Sequence, residues 1–198
     1  MLSGAAVVFG LTLILSLIGL FGPPAFIQRW LLRPYLVLRQ RQYDRFIASG
    51  FVHADLGHLI FNLLTFYFFA FPLERHIGTL KFLLLYFIGL LVSSVGSYFK
   101  HRDNPDYATL GASGAISAVL FASIVYFPGQ SIFIIPIPIP IPAPLFAVGY
   151  LAYTYYSARL AKGRINHDAH LGGALWGLAF VLLTDPGAYA TLLRVISG

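Results

Sequence analysis

The sequence predicts an all-α, polytopic membrane protein, a bundle of six transmembrane helices that takes up residues 1–198 as a single domain. Three observations carry that reading. Of its 198 residues 58% are hydrophobic and only 10% are charged, and the mean hydropathy is +0.78, outside the balance of a soluble domain. Apolar windows approaching the ~20 residues that cross a bilayer core as a helix recur along the chain. The breaks between them combine charge with glycine or proline.

The first span covers approximately residues 2–21, carries no charge, and is ended by Gly22-Pro23-Pro24. It lacks a basic start and a small-residue cleavage site, so it reads as a retained span rather than a removable signal peptide. Residues 25–55 alternate Arg29, Trp30, Arg33, Tyr35, Arg39, Arg41, Tyr43 and Arg45 with apolar side chains, the mixture that settles at the lipid–water interface. They are expected to form an interfacial loop. Spans follow at approximately 58–73, 82–99 and 111–127, separated by "LERHIGTLK" and "KHRDNPDYATL". Prolines at 136, 138, 140, 142 and 144 then exclude a helix, because proline lacks an N–H and pushes the preceding residue out of the helical region. As a polyproline II strand this connection, residues 136–144, would extend about 30 Å along the membrane face. Two last spans cover approximately 145–160 and 169–184.

Several function classes drop out. The formal charge of +6 sits between apolar segments instead of on a polar stripe, which favours lipid headgroups over nucleic acid as the partner. The absence of cysteine excludes disulfides and thiolate metal sites, and neither a metal nor a cofactor is expected.

Polar groups inside spans are costly, so they mark function by default. In "HADLGHLIFNLL", His58 and Asn62 share a helix face at a spacing of four. In "GASG", Ser113 opens its span, where backbone N–H groups lack partners. In "HDAHLGGALWG", His170 opens the last span. Taken singly, each residue reads as a packing or interfacial group. Together they supply a hydroxyl nucleophile, a base, and amide and imidazole donors, a set suited to acyl transfer. Gly173 and Gly177 form a face on the helix of His170, and Gly114, Ala118 and Ala122 a small-residue stripe on that of Ser113. If those faces meet, His170 is brought to Ser113; Gly111, Gly114, Gly173 and Gly177 are therefore candidate active-site packing positions.

"GASG", "AHLGGALWG" and "HADLGHLIFN", in that context and with a six-span layout, resemble the rhomboid intramembrane serine proteases. The resemblance extends through "RFIASGFVHAD" and the "ERHIG" loop. It implies one rhomboid membrane domain, with Ser113 as nucleophile, His170 as its base and no third carboxylate. It further implies an oxyanion held by His58, Asn62 and the Ser113 backbone N–H, and single-pass transmembrane proteins as substrates. The fifth span, with Phe146, Tyr150 and Tyr153, is implied as a lateral gate, and residues 161–168 as a cap. The implied location is a bacterial inner (cell) membrane.

Two positions depart from the family. Four residues after the nucleophile many members carry an aromatic side chain that supports the catalytic histidine, whereas this chain has Ser117, so another group must position His170. Where many members have Trp-Arg in the interfacial loop, this chain has Asp44-Arg45. Orientation is a conflict: with six spans, ten basic residues, Arg29 to Arg45, Lys100, Arg102, Arg159, Lys162 and Arg164, fall on the side that the family topology places outside, against Arg75, Lys81 and Arg194 on the other. The family topology is preferred because the first loop is interfacial and folded. The alternatives from other classes are a catalytically silent rhomboid-like protein that binds membrane clients, and a small transporter with proton-carrying histidines, which lacks paired intramembrane carboxylates.

Overall fold

A computed structural model of the chain describes residues 3–134, 137–160 and 166–197. Helix α1, Gly4–Phe21, is capped by the Ser3 hydroxyl and stops at Gly22. The segment expected as an interfacial loop is folded: α2, Pro24–Trp30, and α3, Pro34–Gln40, each begin with proline in the first turn, where its missing N–H costs nothing. Helix α4, Arg45–Ala48, and a 3-10 turn at Ser49–Phe51 complete it. Arg45 is buried and donates to the carbonyls of Leu31, at 2.6 Å, and Gln28, at 3.2 Å, while Asp44 pairs with Arg29 at 2.7 Å. The Asp44-Arg45 departure thus seats the loop through polar contacts.

Helices α5, Leu56–Ile77, and α6, Thr79–His101, join through a one-residue turn at Gly78, whose φ of 83° suits glycine. Helix α7, Ser113–Tyr126, is the centre of the bundle, with twelve of its 14 residues buried. Helices α8, Ala143–Leu160, α9, His167–Thr184, and α10, Ala188–Ser197, follow, the last turning 116° from α9. Helices α1, α5 and α6 are each long and apolar enough to cross a membrane, and the bent pair α9–α10 counts as a fourth on the same test, so the chain is an integral membrane protein. Helix α7, at about 21 Å, is shorter than a ~30 Å hydrocarbon core, so it cannot reach both surfaces.

The proline run is not a polyproline II strand. It forms an antiparallel hairpin, β1, Ser131–Ile134, against β2, Ile137–Pro142; Pro136 lies outside the described residues. The Ala143 N–H donates to the Gln130 carbonyl at 3.0 Å, and the two-residue period of the strand then turns the Ile141 N–H toward β1 and the nitrogens of Pro140 and Pro142 away from it. Alternating proline therefore spares the ladder and strips N–H donors only from the outer edge.

One clamp ties α1 to α5 and α6 at one end of the bundle. Glu74, buried at the end of α5, accepts from the backbone N–H groups of Gly4, at 2.6 Å, and Ala5, at 3.1 Å, from Thr79 Oγ1 at 2.8 Å and from the Ser3 hydroxyl. Its charge meets the positive end of the α1 dipole. The start of α1, the end of α5 and the hairpin thus lie at one end of the bundle, and the start of α7 at the other.

Candidate active site

Ser113 is the first residue of α7, and the chain reaches it through a constrained turn. Gly111 has a φ of 109°, and its N–H donates to the Ser49 carbonyl at 2.8 Å. A Cβ there would meet His58 Cε1 at 2.6 Å and Nε2 at 2.9 Å, so only glycine lets the His58 ring lie against this turn. Upstream, Thr109 and Leu32 exchange backbone hydrogen bonds of 2.9 and 3.0 Å, tying the turn to the interfacial segment.

His53 holds the next residue. Fully buried, it accepts from the Ala112 N–H through Nε2 at 3.4 Å, and its Nδ1 lies 2.9 Å from Ser16 Oγ on α1. Ser16 donates its own proton to the Phe51 carbonyl at 3.0 Å, which leaves its oxygen to accept from His53 Nδ1–H. That assignment makes Nε2 the acceptor that Ala112 requires. With Ala112 N–H occupied, the amides of Ser113, Gly114 and Ala115 stand at the positive end of α7 without intrahelical acceptors. Sequence reasoning passed over His53, although it stands inside the "HADLGHLIFN" stretch; its partner Ser16 is too distant in the chain to be read beside it.

His58 and Asn62 come from the first turns of α5, where Asp55 caps the helix by accepting from the His58 N–H at 2.8 Å. The His53 and His58 rings meet edge to face at 4.8 Å. Asn62 spends one amide proton on the His58 carbonyl at 2.8 Å, and its other has no acceptor among the described residues. His170 enters from α9, whose start is capped by Asn166 accepting from the Ala169 N–H at 3.1 Å. Asp168, on the same turn, pairs with Lys100 at 3.0 Å.

The α7–α9 contact is made backbone to backbone. A Cβ on Gly173 would lie 2.7 Å from the Gly114 carbonyl carbon, and one on Gly177 would lie 3.0 Å from the Ala118 carbonyl carbon, so neither position has room for a methyl group. Gly114 is enclosed in turn by Ser93, 2.5 Å from where its own Cβ would sit, and by the Ala169 carbonyl at 3.2 Å. His170 is one turn from Gly173, and Ser113 is the neighbour of Gly114.

Ser113, Asn62 and His170 line one cavity of about 870 Å³, together with Ile116, Ser117 and Leu120 of α7, Thr65 and Phe69 of α5, Phe146, Tyr150 and Tyr153 of α8, and Ile132 of the hairpin. Its lining is mostly apolar. Ser113 and His170 both line this cavity, without a direct hydrogen bond between them among the described residues. The Tyr150 hydroxyl lies 3.0 Å from Ser117 Oγ, and its ring lies 6.3 Å from that of His170 at an angle of 19°. The candidate cap, residues 161–168, lies outside the described residues as far as 165.

A family model for the Rhomboid domain matches residues 40–186, a stretch that contains Asn62, Ser113 and His170. RHOMBOID-like protein 12, mitochondrial, of Arabidopsis thaliana is 31% identical over 148 residues, which cover 65% of this chain and 42% of that protein. Presenilin-associated rhomboid-like protein A, mitochondrial, of Danio rerio is 31% identical over 137 residues, 68% of this chain and 36% of its own length. Rhomboid protease GlpG of Yersinia pestis is 27% identical over 100 residues, 50% of this chain and 33% of its own. The matches thus span less than half the length of these curated relatives. With its helical membrane architecture and a family match over most of its length, the chain belongs to the rhomboid family.

Proposed function

We propose that this chain is an intramembrane serine endopeptidase, acting as one domain of six membrane helices, with α1, α5, α6, α8 and α9 as spans and α7 as a short central one that stops below one surface, in a bacterial cell membrane. The observation that carries the reading is a nucleophile, a base and an amide donor on the wall of one largely apolar cavity, on helices packed through glycine. Ser113 Oγ attacks the carbonyl carbon of a peptide bond while His170 takes its proton. The oxyanion forms beside the Ser113 N–H, the other Asn62 amide proton and His58, and each well-placed donor contributes about 3–4 kcal/mol by analogy with soluble proteases. His170 then protonates the leaving amine, and water releases the acyl group from Ser113 by the same steps. No cofactor takes part.

The substrate is a single-pass transmembrane protein. Its helix shields the scissile bond by internal hydrogen bonding, so it must unwind, and glycine or proline near the site lowers that cost. Entry runs between α5 and α8, which face each other across the cavity. The family orientation, with both termini in the cytoplasm, is supported by the folding of the first loop into α2, α3 and α4 with Arg45 buried, which makes it part of the bundle instead of a simple translocated tail. C-terminal reporter fusions test this orientation.

The reaction is tested with purified protein in vesicles and a single-pass reporter substrate. Cleavage is expected from the native chain and is lost in Ser113→Ala and in His170→Ala. Client binding with no cleavage by the native chain would assign it instead to the catalytically silent members. Since the chain has no cysteine, Thr65→Cys with Gly149→Cys allows a selective α5–α8 crosslink, which should block cleavage of membrane substrates. Unaffected turnover would refute the gate.

A further inference from the structure

The site lacks a wall for its base on the helix where many rhomboids carry one, and the structure supplies it from elsewhere. Position 117, one turn beyond Ser113 on the cavity face of α7, is a serine. Across from it Tyr150 of α8 spans the gap: its hydroxyl is 3.0 Å from Ser117 Oγ, and its ring lies nearly parallel to the His170 imidazole, 6.3 Å away at 19°. That separation is within the ~4.5–7 Å range of interacting rings. Phe121 of α7, at 5.5 Å, and Phe146 of α8, at 5.6 Å, hold the phenol from its other sides. His170 lines the cavity of about 870 Å³, and without Tyr150 its imidazole would lose the aromatic ring that faces it there.

We propose that Tyr150 is the positioning residue of His170, that its hydrogen bond to Ser117 is the latch holding it there, and that the reactivity of Ser113 is therefore tied to the seating of α8. This rests on the hydrolase reading above. Because the aromatic wall rides on α8 and not on α7, displacement of α8 to admit a substrate withdraws support from the base. Its return against α7 restores that support, so the base is fully positioned only when the entrance has closed behind the substrate. A misplacement of about 1 Å in such a group costs on the order of 100-fold in rate.

Two readouts separate this role from gating or packing: labelling of Ser113 by a small fluorophosphonate, which needs the base but no helix entry, and the division of cleavage effects between kcat and KM. Tyr150→Ala should slow labelling and lower kcat by about 10- to 100-fold, with KM within about threefold. Tyr150→Leu, which preserves most of the volume, should do the same. Adding Ser117→Tyr to Tyr150→Ala returns an aromatic to α7 and should recover about tenfold or more of the labelling rate. Native labelling rates in Tyr150→Ala or Tyr150→Leu overturn the proposal and leave the hydrolase reading intact. A loss that Ser117→Tyr does not repair makes Tyr150 a packing residue and also overturns it. A native chain that neither labels at Ser113 nor cleaves removes the hydrolase reading itself, and the proposal with it.

Discussion

Gly173→Ala is the substitution for which the structure makes the sharpest demand. The new methyl would stand 2.7 Å from the Gly114 carbonyl carbon, where ordinary contact begins at 3.4 Å, so α7 and α9 have to part by at least about 0.7 Å. The obstructing Gly114 carbonyl is backbone and cannot rotate aside. Overpacking of this kind costs about 1–3 kcal/mol. The same separation moves His170, one turn away, relative to Ser113, and a displacement near 1 Å costs about 100-fold in rate. Thermal unfolding in detergent and fluorophosphonate labelling, measured side by side, should therefore both fall. Gly10→Ala on α1 is the matched control: nothing lies within 4 Å of its Cβ, and alanine in a helix interior is better by about 0.5–1 kcal/mol. A Gly173→Ala protein with native stability and native labelling would refute the claim that backbone contact between these helices builds the site.

Other perturbations test separate parts. Glu74→Ala removes the carboxylate that four donors share at the start of α1 and should cost roughly 3 kcal/mol in denaturant unfolding; a loss below about 1 kcal/mol would mean α1 is held by its apolar contacts alone. His53→Ala frees the Ala112 N–H and should lower kcat about tenfold, with Ser16→Ala causing a smaller loss in the same direction; equal and native rates in both would remove the anchor. In the hairpin, Pro140→Ala places an N–H on the outer edge and should change stability by less than about 0.5 kcal/mol, whereas Ile141→Pro breaks a ladder bond and should cost about 1–3 kcal/mol. Equal effects would contradict the edge assignment.

The uncharged runs, their breaks at Gly22-Pro23-Pro24 and Gly78, and the glycine faces of positions 114 and 173 are local features, and a reading of the chain finds them because span length and close packing depend on residues near in sequence. Arginines dominate the pattern of the interfacial segment and hide its short helices. Pro24 and Pro34 in first-turn positions were the available signal that it contains helices. The proline run is non-helical only as far as Pro142: Pro144 stands in the first turn of α8, where a missing N–H is tolerated, and the partner strand that turns the run into a hairpin has no proline of its own and is visible only through pairing. The roles of Ser16, His53 and Tyr150 were hidden for one reason: each acts through a neighbour tens of residues away, Ser16 with His53, His53 with Ala112 and Tyr150 with Ser117.

The most direct measurement is peptide mapping of the fluorophosphonate adduct on the native protein in vesicles, with its rate compared against His170→Ala. A neighbouring imidazole general base is worth about 10²–10⁴-fold. The adduct is predicted on Ser113 alone, with labelling slowed at least about 100-fold in His170→Ala. An adduct on another residue, or the same rate at Ser113 once the imidazole is gone, would contradict a serine activated by that histidine.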